Sequence, residues 1–366
     1  MFLVHPSELE QKRGRCTGLA AEIVALPRET VIRCNLCSSD RNIIVSARDR
    51  YGLPFRTAMC LHCGLLYLVD RLTEKSYDEF YRTGTYRAIC SQFNATNHDV
   101  AQIQADQLDY SKKIIRIAEG YMNGRAGGRL LDVGGSTGIV CHEVAKHFKL
   151  LGTVIDPSEE EAEAARTLGL TSVVGLVENW QPKERFDVVL LCRSIEHVAD
   201  LRKALLRIRE LMRPDGLLFC DIAEFMESCR LMGPPETVTK VDHCYWLSQE
   251  TAEGIFGAVG FEIVSMNVVC GPGQVGFLLR PCEPRTPEAI RPEQIQAQVR
   301  ELQEIATRWQ AYGSKAFNAE DLLRRKAYRA KRWLQRSLRQ MSKSNRKQEA
   351  KPVATAENCA EAAGTK

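Results

Sequence analysis

Two pairs of cysteines are the clearest chemical signal in this chain. Cys34-x2-Cys37 is followed after 22 residues by Cys60-x2-Cys63. Each pair can grip one edge of a tetrahedral zinc ion, and Gly64 eases the tight turn after the second pair. Four thiolates leave no open position for water, so an ion held this way is structural. His62 lies inside the second knuckle and reads as a bystander. A redox pair is the competing reading. A nucleic-acid-binding ribbon is another, but residues 31–70 carry no marked basic surplus and no obvious stacking pair.

A second constellation lies further along. Asp132-Val133-Gly134-Gly135-Ser136-Thr137-Gly138 closes an apolar run and opens a helical one. Such a turn lets bare backbone approach a ligand, and the helix start offers unpaired N–H groups with partial positive charge. Twenty-four residues after Asp132 comes Asp156, where a carboxylate can accept both hydroxyls of a ribose. The spacing of Gly134, Gly135 and Gly138 does not match the G-x-G-x-x-G of a dinucleotide site. Two histidines, His197 and His243, have side chains suited to proton transfer near neutral pH. Glu196 or Asp242 could orient or assist them.

These residues need elements to position them. From 129 to 281 short apolar strands alternate with amphipathic helices. Strands are expected at Arg129–Val133, Leu151–Ile155, Ser172–Val174, Phe186–Cys192, Leu217–Ile222, Phe261–Val269 and Gln274–Arg280. Ser158-x-x-Glu161 predicts a capping box, with Glu161 reaching back to the helix start. Asp200 and Ser248 predict two further helix caps. Apolar strands between helices imply a parallel sheet covered on both faces. The last two strands are joined only by Gly271-Pro272-Gly273, so one of them must run antiparallel. Residues 1–30 read as a loose lead-in, 31–75 as the zinc-binding module, 76–125 as a helical linker or cap, and 126–283 as an α/β Rossmann-like domain with a seven-stranded sheet.

The glycine turn, the acid at Asp156 and the run Phe186-Asp187-Val188-Val189-Leu190-Leu191-Cys192-Arg193-Ser194-Ile195-Glu196-His197-Val198 resemble the class I S-adenosylmethionine-dependent methyltransferases over roughly residues 126–283. The resemblance implies that the loop with Asp132, Gly134, Gly135, Ser136 and Gly138 holds the methionine part of the cofactor. It implies that Asp156 holds the ribose and that the loop from Arg193 to His197 lines the methyl-donor site. Ser136 stands where that family has glycine. Leu176 stands where it often has an acid, which leaves backbone near Val177 and Glu178 for the adenine. A paired-cysteine module directly before such a domain is similar to the zinc-containing sugar C-methyltransferases. There a pattern like Tyr77-x2-Phe80-Tyr81-x4-Tyr86 helps close the cofactor and substrate pocket, which implies a cofactor contact for Tyr81. Those enzymes carry a second Rossmann-like domain at the C-terminus. Here helices are expected instead, so O-methylation stands beside C-methylation.

Catalysis is expected from His243 first, then His197, with Glu196 assisting. No Asn-Pro-Pro-Tyr or Asp-Pro-Pro-Tyr motif follows the fourth strand, which argues against methylation of an exocyclic or amide nitrogen. The expected function is methyl transfer to a nucleotide sugar, a surface glycan or a related small molecule. The alternatives are an RNA- or protein-directed methyltransferase docking through its zinc module and basic helix, and a non-catalytic cofactor-binding scaffold. The expected cofactors are S-adenosylmethionine and structural zinc, and nucleic acid is the disfavoured partner.

Bulk properties set the frame. The 366 residues include 44% hydrophobic ones and 14 cysteines, with no long apolar run and no export signal. That predicts a cytoplasmic protein whose other cysteines, such as Cys141, Cys192 and Cys220, are small core residues. The net charge of +4 hides an asymmetry. Residues 324–347 hold 11 Lys or Arg, leaving 39 basic and 46 acidic side chains elsewhere, a net of −7. A basic helical extension is expected over 286–341, with an apolar stripe from Leu323 to Met341 suited to packing or to a peripheral contact with anionic lipid at the inner face of a membrane. Residues 342–366 are expected to be disordered.

Overall fold

A computed structural model describes residues 2–96, 99–269, 273–286 and 290–314. The chain opens with two helices, α1 (Pro6–Arg15) and α2 (Thr17–Ala25). This corrects the loose lead-in expected over residues 1–30. Pro6 presets the first turn and the His5 ring accepts the Ser7 N–H. The helices bury only Leu9, Arg13 and Ile23, so their periodicity is too sparse to read.

Next come β1 (Arg28–Thr30), β2 (Asn42–Ser46), β3 (Thr57–Cys60), β4 (Leu66–Leu68) and β5 (Asp70–Leu72). Strands β2, β3 and β4 form an antiparallel ladder that carries the second cysteine knuckle at its β3–β4 turn, while the first knuckle precedes β2. Three helices follow: α3 (Glu74–Arg82), capped by Thr73, then α4 (Thr85–Asn94) and α5 (Val100–Ala118), capped by Asp99.

The α/β domain runs β6 (Arg129–Val133), α6 (Ile139–Phe148), β7 (Leu151–Asp156), α7 (Glu159–Thr167), β8 (Thr171–Val174), β9 (Phe186–Leu191), α8 (Leu201–Leu211), β10 (Met212–Ala223), α9 (Phe225–Met232), β11 (Tyr245–Trp246), α10 (Gln249–Ala258), β12 (Phe261–Val268) and β13 (Gln274–Pro281). A last helix, α11 (Pro292–Gly313), packs back on the N-terminus, where the Trp309 indole donates to the Val4 carbonyl at 3.0 Å. The remainder of the basic extension and the tail lie outside the described residues.

Seven strands make one sheet in the order β12-β13-β10-β9-β6-β7-β8. Five are parallel, and β13 runs antiparallel to both its neighbours. On β9, successive side chains serve opposite cores: Val189 and Leu191 point into one, Val188 and Leu190 into the other. That double burial explains the unbroken apolar run. The chain leaves β6 toward β7 and β8, then returns to β9 on the other side. A crevice therefore opens at the carboxyl ends of β6 and β9.

The two-residue strand β11 is not in that sheet. It pairs antiparallel with β4, placing Tyr245 opposite Tyr67 and Trp246 opposite Leu66. The cysteine module and the α/β domain thereby share one ladder.

Candidate cofactor and acceptor site

The glycine turn crosses the end of β6 with Gly134 at φ +64°. A Cβ there would meet the Ser194 hydroxyl at 2.7 Å, and one on Gly135 would meet the Asp132 carboxylate at 2.8 Å. Both close approaches demand glycine. Ser136 also lies in the left-handed region, at φ +51°. Its amide donates to Asp156 Oδ2 at 2.9 Å, and its hydroxyl accepts from Arg87 at 3.0 Å. The serine that departs from the family pattern therefore has a partner that glycine could not supply.

Asp156 is 6% exposed and sits at the end of β7. Its Oδ1 accepts the Ser158 amide, also at 2.9 Å. Burial, followed by repulsion from Glu161, pushes its carboxyl up to about 7, and the two amides only partly offset this. Glu161 does not complete the expected capping box. Ser158 accepts the Glu161 amide, but the Glu161 carboxylate pairs with the Arg87 guanidinium. That ion pair is nearly buried and outweighs a local bond at the helix start.

A cavity of about 410 Å3 opens over these groups. Gly134, Ser136, Asp156, Glu178, Arg193 and Tyr81 line it, as do His197, Lys240 and Arg50. Asp132, Gly135 and Gly138 do not. Asp132 lies beneath the loop, 1% exposed with neither oxygen hydrogen-bonded, and burial lifts its carboxyl to about 8. It supports the turn from below. The Arg193 amide donates to Asp221 at 2.7 Å, and its guanidinium stacks 4.4 Å over Tyr110. Burial raises the Glu178 carboxyl.

In the same lining the Tyr81 hydroxyl lies 3.0 Å from Nδ1 of His197. Rings of Tyr81 and Tyr86 meet edge to face, and Tyr86 meets His197 the same way. Behind this row Asp242 is fully buried. Its Oδ2 is 3.7 Å from His197 Nδ1 and 3.7 Å from His243 Nε2, with the Lys240 ammonium at 3.1 Å. Burial pushes Asp242 up, yet the Lys240 charge wins and holds the carboxyl below the ordinary range. Burial lowers His197 to about 4 and His243 well below its usual value, so both rings are neutral at pH 7. The donor atoms of His197, Asp242 and His243 all lie within 4.8 Å of one another, a spacing that could hold a metal ion. The Lys240 ammonium already supplies the positive charge beside that carboxylate.

The order of the two histidines differs from the sequence expectation. His197 lines the cavity, and His243 stands behind it with ring centroids 4.6 Å apart. Glu196 does not reach the cavity. Its Oε1 accepts the Ala223 amide, and burial raises its carboxyl to about 7. Arg50, Arg87 and Lys240 were not singled out by sequence reasoning. No motif marks them, because each reaches the site through a different element.

The four knuckle sulfurs converge, with Cys34 Sγ 3.4 Å from Cys63 and Cys37 Sγ 3.5 Å from Cys60. All four lie within 4.8 Å of one another. Zinc–sulfur bonds of about 2.3 Å would place tetrahedral thiolates about 3.8 Å apart, so the donor set fits zinc.

Residues 103–266 match the family model of a methyltransferase domain. The fold is the class I S-adenosylmethionine-dependent methyltransferase fold. The ubiquinone biosynthesis O-methyltransferase of Bradyrhizobium diazoefficiens is 32% identical over 104 residues, 26% of this chain and 40% of that protein. The same enzyme of Rhodopseudomonas palustris is 35% identical over 97 residues, 25% of this chain and 38% of that protein. The chain thus spans about two fifths of the length of these curated relatives. Among solved structures, the 1,6-didemethyltoxoflavin-N1-methyltransferase of Burkholderia thailandensis superposes with a TM-score of 0.43 at 17% identity, covering 62% of this chain and 96% of that one. No described helix is long and apolar enough to cross a membrane.

Proposed function

We propose that this chain transfers a methyl group from S-adenosylmethionine to a sugar, or to a related small molecule presenting a nucleophilic oxygen or carbon. The observation that carries the reading is one cavity lined both by the Ser136–Asp156 cradle and by the Tyr81–His197 pair. Asp156, bracketed by two amides, would take the ribose hydroxyls, which favour its ionised form. Bound there, the cofactor supplies an electrophilic methyl carbon on a sulfonium. Neutral His197, which lines the cavity, would accept the proton that an attacking hydroxyl or carbon acid gives up. Tyr81 fixes the ring, and the caps α3 and α4 exclude water and hold the acceptor in line with the methyl group. The O-methylation carried out by the partial relatives in ubiquinone biosynthesis supports oxygen as the receiving atom.

The cavity also supports a small-molecule acceptor, because its volume of about 410 Å3 lies in the range of small-ligand sites. We further propose zinc at the cysteine quartet, as a structural ion remote from the transfer. The test is incubation of the purified chain with methyl-labelled cofactor and a fractionated pool of nucleotide sugars, glycans and quinol precursors. Label in a small-molecule fraction, lost in Asp156→Ala, supports the reading. Label in protein or RNA alone, or cofactor binding unchanged in Asp156→Ala, overturns it.

A further inference from the structure

We propose that the cavity contains an anion subsite for the acceptor, in which Arg50 and Lys240 grip a phosphate or carboxylate group that the acceptor carries. The proposal rests on the methyl-transfer reading of this cavity, since it names what the acceptor must bear. It begins with a clasp between the cysteine module and the methyltransferase domain. Fully buried Asp49 accepts the Tyr51 and Leu53 amides at 2.9 Å on one oxygen and the Val241 amide at 2.9 Å on the other. The Arg50 amide donates to the Thr239 carbonyl at 2.8 Å. Loop 49–53 of the module is thereby fastened to residues 239–241, and the side chains of Arg50 and Lys240 line the same cavity.

Arg50 differs from the other arginines there. Arg87 is paired with Glu161, Arg82 lies 4.0 Å from Asp78, and Arg193 is stacked on Tyr110. The Arg50 guanidinium lies 4.7 Å from the Phe93 ring centre and 6.0 Å from that of Tyr51, with no ion pair to any described carboxylate. Its Nε is buried without a hydrogen-bond partner. Burying a charged donor without a counter-charge is costly, so the arrangement is relieved when a ligand brings the acceptor oxygens. A planar guanidinium resting on an aromatic ring presents a rigid fork that matches phosphate or carboxylate two bonds at a time. Lys240 adds a compact second charge. Its ammonium is 3.1 Å from Asp242 Oδ2, its one ion-pair partner among the described residues, and that contact uses one of three donors, so the others can reach an incoming oxygen.

The surroundings fit an acceptor with a ring beside its anionic group. Tyr51, Tyr77, Tyr81 and Tyr86 line the same cavity and give it an aromatic wall for such a body. The arrangement also gives the cysteine module a role in the reaction. Without the ladder and the Asp49 clasp, Arg50 would not stand beside the histidines. A structural ion some distance away would thus set acceptor specificity.

The experiment titrates the full-length, zinc-loaded chain by calorimetry with phenyl phosphate, benzoate and phenol, each with and without S-adenosylhomocysteine. At least one anion is expected to bind about tenfold or more tightly than phenol. Arg50→Gln should remove roughly 10- to 100-fold of that affinity, and Lys240→Gln a smaller part. Arg50→Lys keeps the charge without the fork and should fall between. Preference for phosphate over carboxylate, or the reverse, identifies the group. Equal binding of anions and phenol would overturn the proposal. So would unchanged anion affinity in an Arg50→Gln protein whose zinc content and unfolding temperature match the parent. If Arg50→Gln fails to fold, Arg50→Lys and Lys240→Gln decide the matter. Absence of any heat with S-adenosylhomocysteine would sink the methyl-transfer reading instead, while the anion titrations still report on the subsite.

Discussion

The hydroxyl of Tyr81 lies 3.0 Å from Nδ1 of His197, joining a cap helix to the loop after β9 across 116 residues of sequence. This contact fixes the ring that faces the cavity. Tyr81→Phe should lower turnover by about 10- to 100-fold. Its affinity for S-adenosylhomocysteine should change by less than about threefold. Steady-state kinetics with parallel calorimetry separate the two, and a large loss of cofactor affinity would instead make Tyr81 a cofactor contact.

Cofactor affinity should depend on pH through Asp156. Burial sets its carboxyl near 7 in the free protein. Hydroxyls donating to the carboxylate favour its ionised form, so binding lowers that value. Affinity for S-adenosylhomocysteine should therefore rise with pH up to about 7 and then level, by at most about tenfold per unit. Because the folded value exceeds the unfolded one, this group's contribution to the free protein's stability is present below about 4 and lost as pH climbs through 7. The ligand-induced rise in melting temperature should grow over the same interval, and Asp156→Asn should flatten both curves.

His197 acts in the opposite direction. Its folded value of about 4 lies below the unfolded 6.5, so the unfolded chain takes up the proton first. The stability linked to this group is complete above 6.5 and is lost as pH falls from there to 4, by about 3 kcal/mol. Urea denaturation of His197→Gln across pH 4.5–7 should show a shallower acid slope than the parent. The turnover profile should likewise lack the acid limb near 6.5 that an ordinary histidine base would give.

Arg87 connects α4 to both sides of the cofactor cradle, through Ser136 and Glu161. Arg87→Met strands the Glu161 carboxylate, which is 7% exposed. A destabilisation of about 3 kcal/mol is expected in urea melts, with several-fold weaker cofactor binding. Pairing it with Glu161→Gln should recover most of the stability but not the affinity.

Loss of metal should be felt beyond the cysteine module. Strand β4 pairs with β11 of the methyltransferase domain, so unravelling the knuckles breaks a shared ladder. Cys60→Ser, or treatment with a strong chelator, should lower the unfolding midpoint by about 10 °C or more and release stoichiometric zinc. An unchanged midpoint would show that the quartet does not hold a structural ion.

Much of the frame could be read from the residues themselves. The apolar runs from Arg129 to Ile222 follow directly from burial on both faces of a parallel sheet. The short link before Gln274 forces the antiparallel pairing seen between β12 and β13. The cysteine spacing and the turn at Asp132 to Gly138 are local, because ligation by knuckles and close backbone approach are met within a few residues. Helices α1 and α2 escaped notice because they bury too few side chains to leave a period.

What the linear order decided, then, is chemistry that neighbours can perform together: four thiolates, a bare turn, an acid at a strand end. What only the tertiary structure decided is which groups meet across long loops. It placed His197 at the cavity and His243 behind it, sent Glu161 to Arg87 rather than to its own helix start, and set Arg50 of the cysteine module beside Lys240. The physical reason is that charge and hydrogen-bond pairing act over a few ångströms of space. The sequence carries no measure of that distance until the sheets have closed.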